Sequence, residues 1–209
     1  MDLCIFIIGL IIGIFGIIFW ILLFKFAIGI STSSRRKVFN RIALKTNGKV
    51  EGTFKPKLSF THKGCKIEVT GNPEHKKHSN RDSYIPPRTE VIVHLRKNVA
   101  HKIIIKRKQF RHKIASKLGV NYIKTGHKIF DDECVVKGDK EFALRILDYK
   151  VSDTLSTSYS FFIEAFRIEL IGERLLIRIR EYSENERFFN MQIDKAKAII
   201  DRLVELGYI

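Results

Sequence analysis

The sequence FRIELIGERLLIRIR, residues 166–180, decides how the C-terminal part of the chain folds. Apolar residues alternate with charged residues on both sides of Gly172. These apolar residues are Phe166, Ile168, Leu170, Leu175, Ile177 and Ile179. Alternation with a period of two is typical of a half-buried β-strand, and a glycine between two such segments is typical of a turn. The stretch therefore predicts a β-hairpin whose turn contains Gly172.

A long amphipathic helix is predicted directly after this hairpin. Ser183 and Glu186 have the spacing of a capping box, which would open the helix, and Gly207 is placed to end it. The helix carries one continuous apolar stripe. The stripe consists of Phe189, Ile193, Ala196, Ile200 and Leu203. A stripe with this spacing indicates packing against a core.

The segments before the hairpin predict further strands and short helices. Predicted strands are Lys49–Phe54, Lys57–His62, Lys66–Thr70, Glu90–Leu95 and Lys102–Lys106, and the polar segment 71–87 is predicted to be a mobile loop. Predicted helices are Arg35–Lys45, Lys108–Leu118 and Lys140–Leu147, the last with Asp139 as its N-cap. The fold class predicted for the folded part is α+β, with antiparallel strands and a long C-terminal helix.

The N-terminal segment Leu3–Phe24 is apolar throughout. It has 22 residues and no charge, which is long enough for a helix to cross a bilayer. A cleaved signal peptide is disfavoured because the run is too long and lacks a small-residue cleavage site. The predicted organisation is therefore a transmembrane anchor at 1–30, a linker and juxtamembrane helix at 31–48, and a soluble domain at 49–209. By charge, that domain divides into a basic part, 49–128, and a second part, 129–209.

The residues beside the apolar segment predict its orientation. Asp2 precedes it, whereas Lys25 and Arg35–Lys37 follow it. The positive-inside rule then predicts a single-pass membrane protein with its N-terminus outside and its soluble domain in the cytoplasm. Cys4, Cys65 and Cys134 are scattered, which fits a reducing compartment without a disulfide framework.

Three glycines recur within the apolar segment. Gly9 and Gly13 form a G-x-x-x-G step, and Gly16 lies one turn further along nearly the same face. Small residues at this spacing let two membrane helices approach closely. We therefore expect a helix–helix contact at Gly9, Gly13 and Gly16, either with a membrane protein partner or with a second copy. Glycine is also common in membrane helices without such contacts, so the alternative of incidental glycines stays open.

The positive charge is concentrated in the first half of the chain. The net charge is +16 overall, but residues 34–128 hold 25 Lys and Arg against 5 Asp and Glu, while residues 129–209 hold 12 against 16. A field of this sign attracts phosphate groups. The segment 96–128 has 11 Lys and Arg and no Asp or Glu. Within it, the predicted anion-binding residues are Arg107, Lys108, Arg111, Lys113 and Lys117.

This basic segment fits anionic lipid headgroups better than nucleic acid. Clusters of basic residues near a membrane typically bind anionic lipid. No RNP, helix-turn-helix or zinc-finger signature supports nucleic acid, and Phe110 fits a core face better than a stacking platform. A basic surface without any specific ligand is the simpler alternative.

No catalytic or cofactor motif is found in the sequence. His75 and His78, with Cys65 and Asp82 nearby, fall short of the paired ligand spacing of a zinc site. There is no glycine-rich phosphate loop, nucleophile elbow or H-E-x-x-H motif. We therefore predict no metal, no cofactor and no enzymatic activity.

The segment TGHKIFDDECVVKGDKEFALRIL, residues 125–147, contains an ordered series of short motifs. They are Thr125-Gly126, Phe130-Asp131, Val135-Val136, Gly138-Asp139 and Ala143 with Ile146-Leu147. In order and spacing, the series resembles a family of uncharacterised bacterial membrane-anchored proteins, known as a domain of unknown function. Cys134 departs from the family pattern, which prefers an aromatic residue there. The resemblance implies an α+β fold and no activity.

Two functional hypotheses of different classes follow. The first is a non-enzymatic, membrane-anchored accessory or scaffold subunit of a membrane protein complex. The second is a membrane-tethered binder of anionic lipid or nucleic acid that uses residues 96–128. An enzyme with an unfamiliar site ranks below both.

Overall fold

The computed structural model is an α+β fold in which helices pack on an antiparallel sheet. It describes residues 15–21, 34–52, 55–72, 75–77, 83–85, 87–108, 122–156, 166–181 and 183–209. The strands are β1 (Lys49–Glu51), β2 (Lys57–His62), β3 (Cys65–Asn72), β4 (His75–Lys77), β5 (Ser83–Ile85), β6 (Arg88–Arg107), β7 (Cys134–Gly138) and β8 (Phe166–Ile179). The helices are α1 (15–21), α2 (34–46), α3 (Lys128–Glu133), α4 (Lys140–Ile146), α5 (Tyr149–Ser156) and α6 (Glu186–Glu205).

The sheet is organised around strand β6, which has 20 residues. Its first half pairs with β3 and its second half with β7, while β8 pairs with both halves along the opposite edge. Strands β1 and β2 extend the sheet beyond β3. Strands of the basic segment 49–128 and of the segment 129–209 therefore lie in one sheet.

The predicted hairpin around Gly172 is wrong. Residues 166–179 form one strand, β8, which runs antiparallel to β6 from Lys106↔Arg167 to Thr89↔Ile179. Gly172 has a φ of +62° and pairs with Val99, so it bends the strand instead of reversing it. The two strands predicted at Glu90–Leu95 and Lys102–Lys106 are likewise continuous, as β6. Alternation within each half is the same for a hairpin and for a long bent strand, so the pattern could not separate them.

The middle of β6 is longer than the strand beside it. Between the pairs His94↔Arg174 and Ile103↔Leu170, β6 advances nine residues where β8 advances four. The extra residues form an irregular segment at residues 95–102, where the register shifts twice. Such irregularities re-aim side chains and increase the local twist of a sheet.

One face of the sheet packs against the helices and forms the core. The predicted stripe on α6 is confirmed, because Phe189, Ile193, Ala196, Ile200 and Leu203 are all buried. Helix α2 is also confirmed, with Val38, Phe39 and Ile42 buried and the rings of Phe39 and Phe189 4.8 Å apart in an edge-to-face contact. These contacts hold α2 and α6 together over the sheet.

The ends of the helices agree with the sequence at some points and differ at others. Asp139 caps α4, since its Oδ1 accepts a hydrogen bond from Phe142 N at 2.9 Å. The predicted capping box at Ser183 is wrong, because the N-cap of α6 is Asn185, whose Oδ1 accepts from Arg187 N. Glu186 lies within 2.7 Å of Lys45 Nζ and pairs with α2, so its carboxylate binds a neighbouring helix instead of closing a box.

The predicted mobile loop 71–87 contains the antiparallel pair β4–β5.

The prediction of a membrane-spanning helix is contradicted. Across the residues that the structure describes, no helix is both long enough and apolar enough to cross a membrane. Within the predicted anchor, the residues that the structure describes are 15–21, and they are helical. The predicted single-pass topology, with the N-terminus outside and a cytoplasmic domain, depended on that span and is corrected with it. Apolar composition and length indicate that a segment can span a bilayer, but they do not by themselves establish a spanning helix.

The predicted helix–helix contact is only partly within the described residues. Gly9 and Gly13 lie outside them, and no atom lies within 4 Å of the position that a Cβ of Gly16 would take. The contact stays a prediction. Most of the predicted helix Lys108–Leu118 also lies outside the described residues.

The segment 125–139 forms a turn, a short helix and a buried strand. The carboxylate of Asp131 accepts hydrogen bonds from Thr125 N at 2.9 Å, Thr125 Oγ1 at 3.0 Å and Gly126 N at 3.0 Å. It therefore closes the turn before α3. In this segment, Thr125, Gly126 and Asp131 thus contribute hydrogen bonds that fix the turn.

Replacing Asp131 by alanine is expected to destabilise the protein by about 1–3 kcal/mol. The change leaves the part-buried N–H of Thr125 without its acceptor, which carries this cost, and it also removes the acceptor of the exposed Gly126 N–H. Urea unfolding measures the difference. Asp132→Ala is the matched control, because Asp132 is exposed and such surface changes usually stay within about 0.5 kcal/mol. Equal effects of the two changes would contradict the role given to Asp131.

Candidate functional site

The predicted anion-binding residues do not form one site within the described chain. Arg107 ends strand β6 and Lys108 directly follows it, and both are half-buried. Lys108 donates from Nζ to the carbonyl of Asp131 at 3.1 Å and from its backbone N to Glu133 O at 2.7 Å. Its ammonium group thus holds β6 against α3. The other three predicted residues, Arg111, Lys113 and Lys117, lie outside the described residues.

Many cations on the sheet are already neutralised by carboxylates. The face of the sheet opposite the core, here called the outer face, carries Glu68 on β3 and Glu90 on β6. Glu68 lies 2.8 Å from Lys66 Nζ and 3.2 Å from Lys57 Nζ, and His94 Nε2 lies 3.6 Å away. The hydrogen bond from Lys66 lowers the pKa of Glu68 to about 2, so the carboxylate is ionised at neutral pH.

Glu90 has the same role nearer the start of β6. Its Oε1 lies 2.7 Å from Nε of Arg178 on β8 and 3.8 Å from Nε of Arg88. Cross-strand pairs of opposite charge stabilise neighbouring strands, so these cations support the sheet. These arginines are poor candidates for binding a ligand, because the ligand would have to displace the carboxylate of Glu90.

A different group of cations lacks such partners. Lys63, Arg96, Lys97 and Lys102 are exposed, and none forms an ion pair or a side-chain hydrogen bond in the part of the chain that the structure describes. We call these four residues the basic bend. Three of them lie in the irregular segment 95–102 of β6. Within the described residues, the basic bend therefore contains four cations that no carboxylate neutralises.

The turn between β2 and β3 brings Lys63 to this bend. Lys63 and Gly64 both have positive φ, +50° and +77°, which is the two-residue turn that joins twisted antiparallel strands. A Cβ atom at Gly64 would lie 2.7 Å from Cδ of Arg96, so the arginine side chain lies directly against the turn. Close packing of Arg96 on glycine holds the two cationic segments together.

Sequence reasoning identified part of this site and missed the rest. Arg96, Lys97 and Lys102 fall within the basic segment 96–128, but none was among the residues predicted to bind. Lys63 was missed, although the turn Lys63-Gly64 between two predicted strands was a signal. What the sequence could not supply was the position of the carboxylates that neutralise the other cations.

Two buried titratable residues lie away from the basic bend. Burial lowers the pKa of Lys195 on α6 to about 8 and raises the pKa of the Cys134 thiol to about 12. Both side chains are 6% exposed, so neither is presented to a substrate in solution. No group of three or more His, Cys, Asp or Glu side chains in the described segments is arranged to hold a metal ion. Cys65, near the predicted histidine pair in sequence, is fully buried in β3.

Comparison with known proteins gives little beyond this geometry. No family model matches the chain, and no curated protein sequence matches it. Among solved structures, the chain is similar to the crystal structure of the mycobacterial trehalose monomycolate transport factor A. The match has 10% sequence identity and a TM-score of 0.48, and it covers 82% of this chain and 93% of that protein.

Proposed function

We propose that this chain is a non-enzymatic accessory protein that binds clustered phosphate groups of an anionic lipid surface through the basic bend. The observation that carries the proposal is the set of four exposed cations without carboxylate partners, Lys63, Arg96, Lys97 and Lys102. Their charge is available to a ligand at no cost of breaking an internal ion pair. Basic clusters of this size are typical of anionic lipid recognition.

The chemistry of the bend favours lipid headgroups over single-stranded nucleic acid. Binding of single strands generally combines cations with exposed aromatic rings on which bases stack. The described segments that form the bend, 62–65 and 95–102, contain no Phe, Tyr or Trp. Tyr122, an aromatic residue of the predicted basic segment, lies under the ammonium of Lys137 at 5.3 Å, so its ring is occupied. Nucleic acid is the alternative that the experiment must separate.

The proposal of a non-enzymatic role is supported by where the reactive groups lie. Cys134 and Lys195 are buried, and the carboxylates of Glu68 and Glu90 are bound by cations. His101 Nδ1 lies 2.9 Å from Asp139 Oδ2, while its ring stacks on Phe142 at 4.7 Å. These groups are engaged in structural contacts, and a binding role uses the cations that are not.

The test measures binding of the full chain to vesicles of phosphatidylcholine with and without phosphatidylglycerol, and to single- and double-stranded oligonucleotides. The variant changes Lys63, Arg96, Lys97 and Lys102 to Gln. At about 1 kcal/mol per cation near an anionic surface, its affinity for the anionic vesicles should fall by about a hundredfold or more at low salt. The affinity of the unaltered chain should also fall steeply with added salt.

The matched control removes four other exposed lysines, Lys49, Lys55, Lys128 and Lys150, which lie on β1, after it, on α3 and on α5. It carries the same net charge as the test variant. We expect it to keep most of the affinity. An equal loss in the control would mean that total charge alone drives binding and would contradict the site. Tighter binding to oligonucleotides than to vesicles would replace lipid by nucleic acid.

A further inference from the structure

Strand β8 lies at an edge of the sheet along its whole length. It has 14 residues, and in the described part of the chain its strand partner is β6 alone. The N–H and C=O groups on its other side therefore have no strand to pair with there. Such an edge is a template for pairing with another extended segment. The question is which segment the edge fits.

The faces of β8 limit how another strand could pair with it. Before Gly172 the inward residues are Ile168 and Leu170, whereas after it they are Leu175 and Ile177. The inward positions thus change from even to odd numbers at the bend. If a second β8 pairs antiparallel with the first, the inward side chains of both strands must lie on the same face of the joined sheet. This holds only in registers where an even-numbered residue of one strand faces an odd-numbered residue of the other.

One such register also matches the charges. When Ile168 faces Leu175 of the second copy, Glu169 faces the second copy's Arg174, and the reverse pair forms by symmetry. Arg174 has no ion pair among the described residues, so it is available for this contact. Glu169 is bound by Arg167 of its own chain, so in the dimer it exchanges or shares this partner with Arg174 of the second copy. Arg178, on the same strand, is less suited to pair with Glu169 of a second copy. It is already bound to Glu90, with 2.7 Å between Arg178 Nε and Glu90 Oε1. Shifting the register to the next allowed one in either direction places two arginines opposite each other. These are Arg167 and Arg178 in one direction, and Arg167 and Arg174 in the other.

The residue at the centre of this register is an exposed apolar one. Ile171 is 44% exposed and lies between Leu170 and Gly172. In the register described above, Ile171 faces Gly172 of the second copy, next to the two-fold axis. Glycine offers no side chain there, so each Ile171 can lie across the other strand and lose its contact with water.

We propose that two copies of this chain pair antiparallel through their β8 edges, with Glu169 of each opposite Arg174 of the other, to form one continuous sheet. The interface is isologous, as in most homodimers. This inference is independent of the anionic ligand, because it uses none of the four residues of the basic bend. The two sites lie side by side, however, since Val99 in the bend pairs with Gly172.

A charge exchange tests the register as well as the dimer. Sedimentation velocity of the full chain over a concentration series should give a dimer, and Glu169→Arg or Arg174→Glu alone should weaken it at least tenfold by placing like charges together. The double variant E169R/R174E restores opposite charges and should recover most of the association. Arg167→Gln is the control, because it removes the partner of Glu169 within the chain and leaves both facing charges intact.

A monomer at all concentrations would overturn the proposal. So would a dimer that both single variants leave unchanged, because association would then use another surface. If the single variants are monomeric and the double variant is too, this register is wrong. Circular dichroism of each variant distinguishes a loss of dimer pairing from a loss of folding. Each variant is expected to have the same spectrum as the unaltered chain.

Discussion

Replacing Gly138 by alanine is expected to destabilise the protein by roughly 3–5 kcal/mol. Gly138 ends β7 with a φ of +125°, a conformation that side chains other than glycine rarely adopt. A Cβ atom there would lie 1.9 Å from the carbonyl oxygen of Lys102. That same oxygen accepts a hydrogen bond from Asp139 N at 3.1 Å, so the new methyl group would force apart a bonded pair of strands.

The consequence extends from the strand to the helix that follows it. Asp139 caps α4 and pairs with His101, so moving it weakens two further contacts. Thermal unfolding should shift down by roughly 10 °C for a chain of this length. Gly126→Ala is the matched control, because Gly126 also has positive φ, +86°, but no atom lies within 4 Å of its Cβ position. It should cost about 1 kcal/mol, and an equal effect of both changes would show that the clash at Lys102 is not the cause.

The sequence predicted local structure well where the residue pattern of a single helix or strand is enough to identify that element. Strand Lys57–His62 is confirmed with its predicted bounds, and the buried stripe of α6 follows the 3.6-residue period. Asp139 as a helix cap needed only its neighbours. These features depend on contacts within a few residues, which a single sequence records.

Long-range pairing was where the prediction failed. Gly172 between two alternating segments is equally compatible with a turn and with a bend, and the choice depends on β6, about 70 residues earlier. Polar residues inside the core were missed for a similar reason. Gln192 and Lys195 are polar residues that the apolar stripe of α6 does not include, yet Gln192 is fully buried and Lys195 is 6% exposed. Their burial comes from a sheet and helices that surround more of α6 than its stripe covers.

The candidate site shows the same limit. The sequence located an excess of positive charge in residues 96–128, but it could not show which cations face carboxylates. Lys57 and Arg178 are neutralised by residues on neighbouring strands, whereas Arg96 and Lys97 are not. That distinction arises only once β2, β3, β6 and β8 lie in one sheet. It changes the proposed site from the end of β6 to its middle.

Replacing Lys195 by methionine is expected to stabilise the protein at pH 7 by up to roughly 3 kcal/mol. Burial lowers the pKa of this lysine from 10.5 to about 8, because the charged form is poorly solvated in the protein interior. Below pH 8 the folded protein carries the full cost of the buried charge. The cost falls as the pH rises from about 8 towards 10.5, where the folded state has released a proton that the unfolded chain still binds. Methionine keeps the length of the side chain and has no charge to bury.

Urea unfolding of both proteins at pH 7 and pH 9 tests this sign. The unaltered chain should gain roughly 1.4 kcal/mol relative to Lys195→Met over this range, so the difference between them should shrink. The range stops at pH 9 because burial raises the pKa of Cys134 from 9.0 to about 12, and stability tied to that thiol is lost as the pH rises above 9. Lys197→Met is the control, since that lysine lies on the same helix but is only half-buried. If Lys195→Met is less stable than the unaltered chain at pH 7, the ammonium contributes more through its contacts than its burial costs, and the prediction is wrong.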